Sequence, residues 1–390
     1  MVFERSFSSG LAVSIFAILM TLPLSLQAET TPWLVYFGTY TGQTSRGIYS
    51  ARFDTDTGLL SQPQLAIESR NPSFLAVHPT GRFLYAAGEV GEFGDRHEGS
   101  VTAYAISLGN GGLSLLNDQP SGGTYPCHLS MDRKGRCLLV ANYGSGSVAA
   151  LGVERNGKLS NIRSIAQHHG SSVNPQRQTG PHAHFITMDL DNHFALACDL
   201  GLDRVLVYSL KPGTPTLTPN QTGAASAAPG AGPRHLAFHP SGKRFYVVNE
   251  MGCTVSRFDY DPRQGVPSRE LQSISTVPGT GGSNAPNSCA EIQVHPSGKF
   301  LYASNRGQDS IVAFSIDPAN GNLALIDYFP SGGKTPRHFT LDPSGKWLIA
   351  ENQDSDTVVV FQVDTSTGRL RPTGQVVSIG KPVCAVFVKL

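Results

Sequence analysis

The sequence reads as an all-β protein, a seven-bladed β-propeller built from four-stranded antiparallel blades. Three observations carry that reading. A unit of roughly 50 residues recurs along most of the chain, a period typical of radially repeated folds. Within each unit, short apolar runs are bounded by turn residues, as strands are. The two ends of the chain carry complementary parts of one further unit, so pairing them closes a ring and removes two sheet edges.

The most regular part of the unit is an apolar strand, a His-Pro-x-Gly-like turn and a second apolar strand. Six copies are complete. They read PSFLAVHPTGRFLYAAGE from Pro72, PCHLSMDRKGRCLLVANY from Pro126, AHFITMDLDNHFALACDL from Ala183, PRHLAFHPSGKRFYVVNE from Pro233, CAEIQVHPSGKFLYASNR from Cys289 and PRHFTLDPSGKWLIAENQ from Pro336. A third strand follows each: SVTAYAI, SVAALGV, RVLVYSL, TVSRFDY, SIVAFSI and TVVVFQV. A Gly-containing turn, such as ANGNLAL near Gly321 or STGRLRP near Gly368, then opens a fourth. Glycine reaches positive φ at low cost, so these glycines and the HPSGK runs belong to structure rather than chemistry. The seventh unit is split. WLVYFGTYTGQTSRGIYSARF supplies its second and third strands, and the C-terminal PVCAVFVKL supplies its first. Residues 211–232, rich in Gly, Pro, Ala and Ser, show no period and read as a flexible loop between blades.

Composition narrows the function classes. At 39% hydrophobic residues there is ample material for a core. A formal net charge of +1 leaves no basic surplus for a nucleic-acid partner. The N-terminus differs from the rest. Arg5 lies in a short polar start, residues 11–26 are apolar and uncharged, and Leu26-Gln27-Ala28 offers a small residue at a cleavage point. A run of about 16 residues is short for a membrane span, and no basic cluster follows it. Residues 1–28 therefore read as a secretory signal peptide. Residues 29–390 read as an exported, periplasmic domain with no stable membrane insertion after cleavage. Six cysteines (Cys127, Cys137, Cys198, Cys253, Cys289 and Cys384) allow fifteen complete pairings, among which sequence cannot choose. Buried free thiols are the simplest reading for most of them.

Stacking the repeats turns the sequence into a map. The first strand of a blade lies nearest the axis, and strand direction alternates. The start of the first strand and the end of the second therefore share a face, with the HPSGK turn on the other. The start column reads Ser73, Cys127, His184, Arg234, Ala290, Arg337 and Val383. Beside it run Phe74, His128, Phe185, His235, Glu291, His338 and Cys384. The end column reads Thr39, Glu89, Tyr143, Leu200, Glu250, Arg306 and Gln353. Asn142, Asp199, Asn249, Asn305 and Asn352 precede the last five and are expected to hold the bend there.

Together the columns place His184, Arg234, Arg337, Glu250, Arg306 and Glu89 around one channel mouth. Charged groups this near an axis are costly unless paired, hydrated or used. A structural salt-bridge ring is one reading. The other is a pocket for an anionic small molecule, with Arg234, Arg306 and Arg337 as forked donors and Glu250 or His184 as the proton-transfer group. His182, two residues ahead of His184 in GPHAH, joins the cluster. A His pair raises the question of a metal, but no third ligand stands at a fitting spacing, so no metal is expected. His168 and His169 read as a solvated surface pair, and His235 and His338 as braces for the strand starts. No P-loop, Gly-x-Ser-x-Gly elbow or HExxH occurs.

Six segments in order carry a resemblance. They are GTYTG near Gly38, GPHAH ending at His184, GPRHLAFHPSGK from Gly232, VVNE ending at Glu250, ASNRG around Arg306 and TPRHFTLDPSGKWL from Thr335. The pattern resembles the seven-bladed β-propeller lactonases, typified by bacterial 6-phosphogluconolactonases and related to fungal muconate lactonising enzymes. The resemblance spans nearly all of the chain after the apolar run. It implies hydrolysis of a sugar δ-lactone with His184, Glu250 and Arg306 as catalytic residues. It implies Arg234 at the substrate and no metal or organic cofactor. Arg337, which repeats the PRH pattern, and His182, beside His184, read as further substrate contacts; the arginines favour a small, anionic lactone as partner, and a monomer is expected. An exported member would open a lactone formed outside the cytoplasm, such as gluconolactone. Two alternatives stay open: a muconate-type cycloisomerase using the same residues, and a non-catalytic exported propeller that binds ligand or protein.

Overall fold

The computed structural model describes residues 1–5, 33–211, 213–279 and 287–389. Among them, strands form seven antiparallel sheets, six of them running from an inner strand outward in chain order. Six sheets have four strands. In the blade begun by Pro233–Phe238, two short strands, Val266–Pro267 and Gln272–Ser275, share the outermost position. The ring closes as the split unit requires. Pro382–Lys389 pairs antiparallel with Trp33–Thr39, from Trp33↔Lys389 to Thr39↔Pro382, and so supplies the innermost strand of the closing blade. The signal-peptide expectation falls largely on residues 6–32, outside the described residues. No described helix is long and apolar enough to cross a membrane.

Sequence pattern sorts the strands by depth. The second strands are near-continuous apolar runs because both faces are covered; Cys137–Asn142 and Trp347–Asn352 are buried throughout. Outer strands alternate, as Leu159–Gln167 does, because one face meets solvent. Core clusters lie between neighbouring blades. Phe37 and Phe53 of the closing blade, for example, pack with Trp347, Ile349 and Val358 of the one before it.

Polar straps tie blade to blade. The hydroxyls of Tyr36, Tyr85, Tyr246 and Tyr302 donate to the carbonyls of Gly111, Gly157, Gly321 and Gly368 in the following blade, at 2.8–3.1 Å. Each accepting glycine sits at positive φ, between 72° and 86°. A Cβ on Gly157 would also strike the Phe83 ring. The turn histidines His78, His239 and His295 likewise bond the carbonyls of Gly135, Gly298 and Gly345 in the next blade. The HPSGK runs are thus structural.

Two expectations need correction. Residues 211–232 are not simply a loop: Leu217–Ser226 is the outer strand of its blade, paired with Arg204–Leu210. Its apolar pattern is faint because only Leu217, Gly223 and Ala225 are buried, and an edge position tolerates Pro219. His168 is not solvated. It is buried, its Nδ1 lies 2.6 Å from Asp199 Oδ2, and its ring lies parallel to Tyr208; only His169 is exposed. All six cysteines are free, and only Cys253 is not fully buried.

Candidate active site at the channel mouth

A bulge recurs where the inner strands begin. Pairing shifts between Pro72 and Phe74, Pro126 and His128, Ala183 and Phe185, Pro233 and His235, and Pro336 and His338. Strict alternation would send consecutive side chains to opposite faces, whereas a bulge re-aims one of them. At Arg234 and His235 both side chains reach partners on the next inner strand: Arg234 Nη1 donates to Ala290 O at 2.7 Å, and His235 Nδ1 lies 3.0 Å from Glu291 Oε2. The start column and its neighbour therefore form two layers of one channel.

Glu250 is the centre of the upper layer. Arg234 Nε donates to its Oε2 at 3.1 Å, and Arg306 Nη2 lies 3.0 Å from the same oxygen. Arg177 Nη2 donates to Oε1 at 2.8 Å. Burial alone would raise the Glu250 pKa, but Arg306 and Arg234 outweigh it and bring the carboxyl down to about 2. Arg234, fully buried and next to Arg306 and Arg337, is pulled down to about 10 and stays cationic at neutral pH. Arg306 is tied to the strand beside it through Nη2 and Cys289 O, at 2.8 Å.

His184 stands beside this cluster. Burial, then the charges of Arg234 and neighbours, hold its pKa well below the ordinary imidazole value, so it is neutral at pH 7. Its Nδ1 is buried and has no hydrogen-bond partner among the described residues. His182 is placed differently. It stacks on Tyr143 with ring centroids 4.6 Å apart, and its Nδ1 lies 3.0 Å from Tyr143 O. Tyr143 in turn meets the His184 ring edge-on at 5.6 Å. Arg337 crosses the Tyr40 ring at 5.2 Å and donates to the Tyr40 hydroxyl at 2.9 Å, which donates to Glu89 Oε2 at 2.8 Å. So Arg234, Glu250 and Arg306 meet directly, with His184 beside them and its ring 5.1 Å from that of His235, while Arg337, Glu89 and His182 flank them through Tyr40 and Tyr143.

Sequence reasoning missed Arg177 and Tyr40. Arg177 lies in the aperiodic stretch before GPHAH, outside every column. The available signal was Asn174-Pro175, a turn-forming pair just ahead of it. Tyr40 follows the end-column residue Thr39 by one position.

The lower layer pairs most of its charges internally, and on the HPSGK side Phe74, Phe185, Glu291 and His338 line a cavity of about 590 Å³. Glu291 Oε2 lies 3.0 Å from His235 Nδ1 and 3.4 Å from His338 Nε2, and His338 Nδ1 lies 2.8 Å from Glu351 Oε2. Phe74, His128 and Phe185 pack beside them with tilted rings, centroids 4.0–4.2 Å apart. His235 and His338 thus fill the channel rather than merely bracing strand starts. Of the residues expected to hold the bends, Asp199 accepts the Leu202 N–H at 3.1 Å within its own bend, whereas Asn142, Asn305 and Asn352 donate to the distant carbonyls of Ser121, Thr276 and Ser331 and tie the strand ends across the blade. Cavities of about 780 and 710 Å³ lie away from this mouth, one against Arg136 and Arg155, the other under Leu129, Met131 and Phe185 on the HPSGK face. Neither touches the arginine cluster.

Seven antiparallel blades around a mouth that gathers guanidiniums about one buried carboxylate, beside a neutral imidazole, define a β-propeller with a polar site on its axis. Residues 34–387 match the family described as "Lactonase, 7-bladed beta-propeller". The chain belongs to that family and is a lactonase, a carboxylic ester hydrolase. It is 37% identical over 357 residues to the 6-phosphogluconolactonase of Bacillus subtilis, covering 92% of this chain and 99% of that one. It is 34% identical over 315 residues to the 6-phosphogluconolactonase of Formosa agariphila, covering 79% and 86%. The solved structure of the periplasmic gluconolactonase of Pseudomonas aeruginosa matches with a TM-score of 0.84 at 32% identity, covering 92% of this chain and 99% of that one.

Proposed function

We propose that this mouth opens a sugar δ-lactone bearing an anionic group, in the manner of a 6-phosphogluconolactonase. The observation that carries the proposal is the convergence of three guanidiniums on Glu250 beside a neutral His184 whose Nδ1 is unpartnered among the described residues. Water attacks the lactone carbonyl carbon, and His184 Nδ1 takes its proton. Arg234 or Arg306 meets the negative charge that grows on the carbonyl oxygen, a contribution of about 3–4 kcal/mol for one such donor elsewhere. The bond between the carbonyl carbon and the ring oxygen then breaks, and protonated His184 returns the proton to that oxygen. The product is a hydroxy acid. Glu250, tied to three arginines and held near pKa 2, positions the donors rather than moving the proton. Arg337 and His182 contact the substrate from the sides.

Every group at the mouth comes from one chain, so a monomer suffices. The apolar N-terminal run supports export to the periplasm, and the Pseudomonas neighbour carries that location in its name. The test is a pH-stat assay of 6-phosphoglucono-δ-lactone and glucono-δ-lactone, corrected for spontaneous opening, with Glu250→Gln as control. Acceleration that disappears in the variant supports the proposal. No acceleration of either lactone would leave a ligand-binding propeller.

A further inference from the structure

Arg177 differs from the other guanidiniums at the mouth. Arg234 and Arg306 project from the propeller's strands and are 3% and 14% exposed, whereas Arg177 sits on the loop ahead of Pro181 and is 43% exposed. It alone among them bonds Glu250 Oε1; the other two share Oε2. Its named bonds, to Glu250 and to the Tyr143 hydroxyl at 3.1 Å, both run through Nη2.

The backbone beneath it is clamped. Asn174 Oδ1 accepts the N–H groups of Gln176 and Arg177 at 2.9 and 3.1 Å. The fully buried Gln178 donates to Leu200 O and Asp203 Oδ1, each at 2.8 Å. The side chain can therefore swing while its base stays fixed, and exposed side chains change rotamer within nanoseconds. The charges are unbalanced as well. Four guanidiniums (Arg177, Arg234, Arg306, Arg337) face two carboxylates, Glu89 and Glu250, an excess of two positive charges. A phosphomonoester carries about −1.5 to −2 at neutral pH and accepts forked guanidinium bonds.

We propose that Arg177 is a specificity-determining latch that trades the Glu250 carboxylate for the phosphate of a phosphorylated lactone. In the free protein it closes onto Glu250 Oε1. A phosphate arriving at the rim takes the guanidinium, and Oε1 is released toward the mouth. The freed carboxylate charge then offsets the positive charge His184 acquires with the proton. An unphosphorylated lactone offers nothing to pull Arg177 away and meets the closed form. This rests on the lactonase reading of the same mouth.

The test compares wild type, Arg177→Ala and Arg177→Lys on 6-phosphoglucono-δ-lactone and glucono-δ-lactone. Calorimetric binding of 6-phosphogluconate and gluconate runs beside it. The ratio of kcat/KM for the phosphorylated over the plain lactone falls about tenfold or more in Arg177→Ala, the size of one lost charge-assisted hydrogen bond, with partial recovery in Arg177→Lys. Equal losses on both lactones, or an unchanged ratio, would overturn the latch. Should wild type open neither lactone, the lactonase reading fails and calorimetry decides. The latch then requires 6-phosphogluconate to bind Arg177→Ala about tenfold more weakly, with a smaller change for gluconate; equal changes would overturn it.

Discussion

Positions 234 and 235 are neighbours on one strand, as are 337 and 338, and each pair sends an arginine and a histidine into the same channel at two depths. The upper layer is charged, partly open and left with spare positive charge: Arg234, Arg306 and Arg177 share one carboxylate, and a neutral His184 stands by. The lower layer spends most of its polar groups on itself: His235 and His338 meet Glu291, His338 also meets Glu351, Phe74 and Phe185 cover His128, and one link, His235 Nε2 to Arg234 Nη1 at 3.4 Å, runs up to the other layer. The bulge explains how both residues of a pair reach the axis. Depth explains why only one has donors left for a ligand. A buried polar group that is already paired contributes specificity of packing, whereas one with unspent donors at an opening can recognise something.

That contrast can be broken by substitution. The largest combined effect is expected at Arg234, which serves the mouth and is itself fully buried. Arg234→Met should lower kcat/KM on the preferred lactone about 100-fold or more, as for loss of a transition-state donor. It should also cost about 3 kcal/mol of stability in a denaturant titration, since a buried carboxylate loses a partner. A loss of activity with unchanged stability would mean that Arg306 and Arg177 already satisfy Glu250. Arg306→Ala should be milder: kcat/KM falls about tenfold or more, the cost of one charged hydrogen bond. An unchanged value removes Arg306 from the site.

Acid should act on both layers but show chiefly as stability. Burial, then neighbouring cations or histidines, lowers the pKa of His128 and His184. Burial lowers His235 to about 4, against the pull of Glu291. The unfolded chain therefore takes up protons first, and the stability these groups confer above about pH 6.5 is lost as pH falls through their folded values. His338, held above the ordinary value by Glu291 and Glu351 despite its burial, has the opposite sign: its contribution is present below about pH 6.5 and is lost as pH rises through its folded value. Glu351, whose carboxyl pKa is pushed up by burial, has the sign of His338, and three groups against two predict a melting temperature that drops between pH 7 and pH 5. A rise over that interval would contradict the burial of neutral imidazoles.

Much of this was legible in the sequence because a propeller repeats. Six copies of one strand–turn–strand unit align residues that fold to equivalent places, so a column becomes a ring. That alignment alone put His184, Arg234, Glu250 and Arg306 at one mouth and split the closing blade correctly. What escaped it lies off the repeat. Leu217–Ser226 reads as a loop because an outer strand with few buried positions needs little apolar periodicity. His168 looks solvated in its polar surroundings because nothing local announces the distant carboxylate of Asp199. Arg177 is invisible for the same reason: its partner Glu250 is 73 residues away.

The division of labour between the layers is tested most directly by assaying His184→Gln and His235→Gln side by side, both folded by circular dichroism, on 6-phosphoglucono-δ-lactone. Loss of a proton-transfer group costs about 100-fold or more, so His184→Gln should lose that much kcat, with a far smaller loss for His235→Gln. Equal losses, or a larger one at His235, would contradict the assignment of the chemistry to the upper layer.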